Sequence, residues 1–161
     1  MDTRAWDANW LVISGEVRAD QNLSWSFQDP CLTTWEAGEL VDWLGQVGTG
    51  AAVLATDVVP HQRPSRRADT GISAEGNGGD WPSELSDRGW LTFTEPNLSF
   101  AVMGYGRHVD LRVRLSAESG PPPVDPTKGM GWYELPLDVS VAECRAASAD
   151  LQTELEAFPA R

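Results

Sequence analysis

Six short segments of this chain alternate apolar and polar side chains, and this period of two restricts the fold more than any other feature. Leu11, Ile13 and Val17 share one parity, and Leu23, Trp25 and Phe27 alternate with Ser24 and Ser26. Leu91 and Phe93 alternate with Thr92 and Thr94, and Leu98, Phe100 and Val102 follow with the same spacing. Val109, Leu111, Val113 and Leu115 alternate with Asp110, Arg112 and Arg114, and Tyr133, Leu135, Leu137 and Val139 with Glu134, Pro136 and Asp138. Successive side chains of a strand point to opposite faces, so each segment offers one apolar face. Strands apolar on one face only belong to antiparallel sheets, because parallel sheets are covered on both sides. Turn residues sit where such a sheet needs them, at Ala19-Asp20-Gln21-Asn22, Glu95-Pro96-Asn97 and Gly104-Tyr105-Gly106. Pro136 has no N–H for a ladder, which places the last strand at an edge or on a bulge.

The apolar faces need a cover, and two amphipathic helices are available. The first follows Asp29-Pro30-Cys31-Leu32-Thr33, with Thr33 as N-cap and Glu36 placed to close a capping box. Ala37, Leu40, Trp43, Leu44 and Val47 form its apolar stripe, and Gly45 and Gly48 are expected to fray its end. The second opens on the capping box Ser140-Val141-Ala142-Glu143, carries Cys144, Ala147, Leu151, Leu155 and Phe158 on one side, and stops at Pro159. The expected fold is α+β: a mostly antiparallel sheet of about six strands with two helices packed on one face. The 161 residues fit a single domain, 1–161. Residues 60–89, rich in Gly, Pro and Arg, read as a long mobile loop, and residues 121–131 as a shorter linker.

Charge excludes several functions. With 24 acidic and 12 basic residues the net charge is -12, so nucleic acid and anionic membranes are not expected as partners. Residues 1–60 hold nine acids and two arginines, a net of -7, and that field attracts a basic partner and speeds its encounter. No apolar run approaches the roughly 20 residues that span a bilayer. The stretch Met1–Asp7, with Asp2, Arg4 and Asp7, does not read as a signal peptide, so a cytoplasmic protein with reduced Cys31 and Cys144 is expected.

Catalytic signatures are sparse. His61 and His108 each stand alone, the two cysteines are far apart, and no G-x-S-x-G elbow is present. Gly45-Gln46-Val47-Gly48-Thr49-Gly50 follows a helix instead of a strand and lacks a phosphate lysine, so it reads as a glycine C-cap. Cys31 lies near a helix start, where a thiolate could be stabilised, but such a residue is more often a small buried hydrophobe. Carboxylate pairs such as Glu36 and Glu39 arise from abundance alone. No catalytic residue, metal or cofactor is expected.

Eight tryptophans stand out in a chain of this size. Trp25 and Trp43 fit the core. Trp35 falls about 140° around the helix from Leu40, beside Glu39 and Asp42, at the usual turn of about 100° per residue. An aromatic ringed by acids on the wet side of a helix suits a protein-binding surface, because Trp is enriched at interface hot spots. Packing under a loop at the helix start is the ordinary alternative. The candidate partner-binding residues are Trp35, Glu36, Glu39 and Asp42.

Three blocks carry a resemblance. Asp29-Pro30-Cys31-Leu32-Thr33-Thr34-Trp35-Glu36 with Glu39-Leu40 and Asp42-Trp43-Leu44, then Phe93 to Phe100, then Leu151, Leu155 and Ala157-Phe158-Pro159, resemble in order the WapI-like immunity proteins. The resemblance covers residues 10–47, 90–120 and 132–161. It implies a non-enzymatic, cytoplasmic immunity protein that binds and neutralises a cognate bacterial toxin domain, with a basic nuclease among the candidate toxins. The stretch from Ala51 to Arg88 looks longer than the family pattern, and Pro121–Met130 looks reshaped. Two other classes stay open: a general protein-binding adaptor using the same surface, and a small enzyme using Cys31 or paired carboxylates.

Overall fold

A computed structural model describes residues 9–20, 22–55, 89–123 and 132–158. The loop expected at 60–89, with His61 and Trp81, lies outside the described residues apart from Gly89, as does most of the 121–131 linker.

A long antiparallel hairpin opens the fold, formed by β1 (Trp10–Asp20) and β2 (Leu23–Thr33). Strand β2 runs well past the alternation of Leu23–Phe27, through Asp29-Pro30-Cys31 and directly into a helix. The pairing explains how. Leu11 faces Leu32, but Ile13 faces Asp29, so β2 carries one extra residue at that point. A bulge of this kind lets Pro30 lie in a strand without a ladder proton.

The second sheet holds β3 (Trp90–Thr92), β4 (Leu98–Tyr105), β5 (Val109–Leu115) and β6 (Tyr133–Val139), antiparallel in the order β3-β4-β5-β6. Strand β6 with its proline stands at the end of that order. The six expected strands are thus present, but divided into sheets of two and four. The hairpin meets the larger sheet through side chains instead of a shared ladder. Val17, Trp25, Cys31 and Leu32 pack with Leu98, Val113, Leu115 and Tyr133 in one core cluster, joined by Leu40 of the first helix. Trp25 is its central piece. Its ring meets Tyr133 edge-on at 5.6 Å, and its Nε1–H donates to the Ser119 carbonyl at 2.9 Å.

Helices α1 (Thr34–Thr49) and α2 (Val141–Leu155) both begin with the expected capping boxes, on Thr33 and Ser140. A second core cluster of Val47, Ala52, Val102, Val109, Leu111 and Cys144 ties both to β4 and β5. Ser148 Oγ donates to the Val41 carbonyl at 2.9 Å and Arg145 Nε to the Gly48 carbonyl at 2.7 Å, so the helices run antiparallel. On α2, Cys144 is buried, Leu151 and Leu155 are half-buried and Ala147 is exposed, while Phe158 lies beyond the helix end at Leu155 and is exposed.

Two expectations change at α1. Gly45 and Gly48 do not fray the helix, which continues to Thr49 and closes on Gly50 in the left-handed conformation (φ 75°). Gly48 admits α2, since a Cβ on it would stand 2.6 Å from Arg145 Cγ, whereas one on Gly45 would meet Ser148 Oγ at an ordinary 3.6 Å. Gly45→Ala should therefore stabilise the protein by about 0.5–1 kcal/mol through helix propensity alone. Gly48→Ala should forfeit that gain, since it displaces the Arg145 stem from its bond to Gly48. Urea unfolding of the two variants checks the contrast.

The outer face of the larger sheet is also drier than its alternation predicts. Ser99, Ala101 and Arg114 are buried there. The Arg114 guanidinium lies 3.5 Å over the Trp90 ring and its Nε donates to Glu134 at 3.2 Å. At the β3 side, Leu54 bridges Val102 in parallel and the Ala55 N–H donates to the Val102 carbonyl at 2.8 Å. Gly89 (φ 86°) presses against this point, and a Cβ on it would fall 2.7 Å from Ala55 Cα. The chain therefore leaves the described fold at Ala55 and re-enters it beside the same residue.

Candidate partner-binding surface

The start of α1 is the most densely bonded part of the surface. Thr33 Oγ1 accepts from the Glu36 N–H at 3.2 Å, and Glu36 Oε2 accepts from the Thr33 N–H at 2.8 Å and its hydroxyl at 2.9 Å. The other carboxylate oxygen, Oε1, accepts from the Thr94 N–H at 2.6 Å. Glu36 thus bridges α1 to the turn between β3 and β4. Burial alone would push its carboxyl up, but the hydrogen bonds from Thr94 and Thr33 outweigh that and hold it below the ordinary 4.5. The Thr34 N–H also donates to the Asn9 carbonyl at 2.9 Å, which fixes the entry of the helix to the start of the hairpin.

A carboxyl held below its unfolded value contributes stability above that value, and the contribution fades as pH falls through the folded one. Glu36→Gln should cost about 1–2 kcal/mol at pH 7, the range for lost charge-assisted hydrogen bonds. The difference from the parent should narrow as pH falls below 4.5 and close once Glu36 is itself protonated in the folded protein. Thermal melts at pH 7 and pH 3 read this directly. A constant gap at both pH values would show that the charge plays no part.

Of the four candidates, Glu36 is thus committed to the fold. Trp35, Glu39 and Asp42 remain on the outer flank of α1, all exposed, with Trp35 48% exposed. The buried residues Ala37, Leu40, Val41, Val47 and Gly48 occupy the opposite side of the helix. Among the described residues neither Glu39 nor Asp42 has an ion-pair partner. The four ion pairs among the described residues lie elsewhere: Arg18–Glu16, His108–Asp138, Arg112–Asp110 and Arg114–Glu134.

A second acidic group adjoins this flank and was not among the sequence candidates. The turn after β3 exposes Glu95, and the buried Asn97 next to it donates from Nδ2 to Asp29 Oδ2 at 2.6 Å and to Glu118 Oε2 at 3.3 Å. Sequence separations of 68 and 21 residues hid these contacts. The local signal was the turn motif Glu95-Pro96-Asn97 itself, inside a block that resembles the family.

The enzyme alternative loses its nucleophile. Cys31 is fully buried, and burial, with the Asp29 carboxylate next in weight and Glu36 and Glu95 adding to it, pushes its thiol up to about 11. It stays protonated at neutral pH and is inert as an attacking group. Cys144 is likewise buried, and its thiol is raised by burial and by Glu143. His108 is exposed at the β4–β5 turn, where its Nδ1 meets Asp138 at 3.2 Å, and it belongs to no arrangement with Cys31. Among the described residues no group of three or more His, Cys, Asp or Glu could hold a metal ion, and no helix is long and apolar enough to cross a membrane.

The architecture is that of an α+β protein, with two capped helices on antiparallel strands and an α1 flank that exposes Trp35, Glu39 and Asp42. A family model described as the immunity protein WapI-like family matches residues 1–159, and the chain belongs to that family. Comparison with curated proteins and with solved structures finds no match.

Proposed function

We propose that this protein binds and neutralises a cognate toxin domain inside the bacterial cytoplasm, and does so by occupation and not by catalysis. Membership of an immunity protein family supports the role. The observation that carries the mechanism is the outer flank of α1, where Trp35 is exposed beside Glu39 and Asp42 and neither acid meets a base among the described residues. Trp35 supplies apolar area that a partner can desolvate, and the acids steer a basic partner toward it. A nuclease is a fitting target, because an enzyme that grips a phosphate backbone is basic and an acidic protein competes for the same surface. The net charge of -12 argues against nucleic acid as the direct ligand.

Co-expression tests the reading. The toxin domain encoded immediately upstream should kill cells alone and be silenced when this protein is made with it. If killing persists at full potency in the presence of soluble protein, the immunity function is refuted.

A further inference from the structure

We propose that the partner-binding surface is a groove between the first half of α1 and the last turns of α2, floored at Gly38, and that it receives a basic amphipathic helix of the toxin domain. This rests on the toxin-binding reading above and adds the shape of the surface and the form of the segment that fills it. Gly38 is the observation that points there. Three glycines lie within α1, at 38, 45 and 48, and a glycine inside a helix destabilises it relative to alanine. At Gly48 the packing of Arg145 requires the missing side chain, and at Gly45 Ser148 Oγ would stand 3.6 Å from a Cβ. At Gly38 no atom of a described residue lies within 4 Å of where a Cβ would be. Nothing in the described fold calls for glycine at this position. A glycine on an open helix surface admits the close approach of another chain.

The second helix makes a groove of this opening. The helices touch where Ser148 bonds the Val41 carbonyl and Arg145 the Gly48 carbonyl. Leu155 of α2 lies beyond Ser148 and Trp35 of α1 before Val41 by about 10 Å of helix each, so the end of α2 runs alongside the start of α1. Gly38 sits two turns before Gly45 on the same shoulder of α1, the one that faces α2. The helices that meet at Gly45 and Gly48 thus leave a gap at Gly38. Two exposed aromatics stand at this end of the pair, Trp35 at 48% and Phe158 at 56%, and Leu155 is half-buried. Both rims are acidic, with Glu39 and Asp42 exposed on α1 and Glu154 and Glu156 exposed at the end of α2. None of these four has an ion-pair partner among the described residues. A small floor, apolar ends and an acidic rim suit a basic amphipathic helix. Its apolar side chains meet Trp35 and Phe158, its backbone comes close over Gly38, and its cations reach the rims.

Glycine replacements and two probes test this. Gly38→Ala and Gly45→Ala should each raise the melting temperature by about 2–4 °C, and Gly38→Gln should melt no lower than the parent. With the upstream toxin domain as probe, Gly38→Ala should bind about five-fold more weakly and Gly38→Gln about thirty-fold or more, with Gly45→Ala within about two-fold of the parent. A glycine that serves only the fold would do the opposite, lowering the melting temperature of the Gly38 variants and leaving their Kd unchanged. Parental affinity in Gly38→Gln overturns the groove, whatever the stability of the variant. An amphipathic leucine–lysine peptide titrated into isotope-labelled protein is the second probe. Shifts should concentrate at the Gly38 amide, the Trp35 indole and the Leu155 methyls, and Gly38→Gln should lose them. Shifts spread over the acids of the whole surface would overturn the proposal. A protein that seats the peptide here yet fails to bind the toxin domain would refute the toxin reading and leave the groove standing. One that neutralises the toxin equally well with Gly38→Gln in place would do the reverse.

Discussion

Trp35→Ala should weaken the complex with the toxin domain by about 2 kcal/mol or more, close to thirty-fold in Kd, while the melting temperature moves by no more than a degree or two. The residue is 48% exposed on the outer flank of α1 and belongs to neither core cluster. The expected loss is the apolar area that the proposed partner would cover. Titration calorimetry and a thermal melt on the same sample separate the outcomes. Intact affinity with a lowered melting temperature would make Trp35 a packing residue and move the interface off α1.

The same substitution at Trp25 should do the opposite, costing about 3–5 kcal/mol of folding free energy, as large aromatic deletions in cores do. Trp25 joins the hairpin to the larger sheet by packing on Tyr133 and by donating to the Ser119 carbonyl. Its removal leaves a cavity between the two sheets and a buried carbonyl without its partner, which adds to the loss. For a domain of this size the melting temperature should fall by roughly 10 °C or more. Trp25→Phe keeps most of the volume and loses the hydrogen bond, so it should fall between the parent and Trp25→Ala. If Trp25→Ala melts with the parent, the two sheets are not coupled through this ring.

What could be read in the sequence was what short-range physics determines. Both capping boxes were legible because the pattern closes within three residues, at Thr33–Glu36 and Ser140–Glu143. The strands were legible because burial repeats every second residue, as on β5, where Val109, Leu111, Val113 and Leu115 all turn inward. What escaped depended on distant partners. Pro30 has no N–H for a ladder, yet the register slip opposite Leu11 and Ile13 carries it inside β2. Gly48 reads as a weak helix end until Arg145, 97 residues later, is seen against it. Arg114 has the parity of a wet face, but Trp90 lies over it. The candidate site divides in the same way. Helix phase alone places Trp35, Glu39 and Asp42 outward, whereas the bond from Thr94, 58 residues away, commits Glu36 to the fold.

The contact between Gly89 and Ala55 has a consequence for how this chain can change. Ala55 and Gly89, which flank residues 56–88 in the sequence, meet on the β4 edge, where Leu54 bridges Val102 and Trp90 begins the pairing with Ala101. Because the two attachment residues already touch, the distance the intervening chain must span is the same for a short segment as for a long one. Closing a longer segment costs only about 0.6 kcal/mol per doubling of its length. By that closure term a change of length between Ala55 and Gly89 should cost the frame little, whereas a one-residue insertion at β2 would turn every side chain beyond it to the other face. The frame should therefore tolerate a length change at the first place and resist it at the second. Chimaeras that exchange residues 56–88 between related chains should keep the melting behaviour of the parent frame.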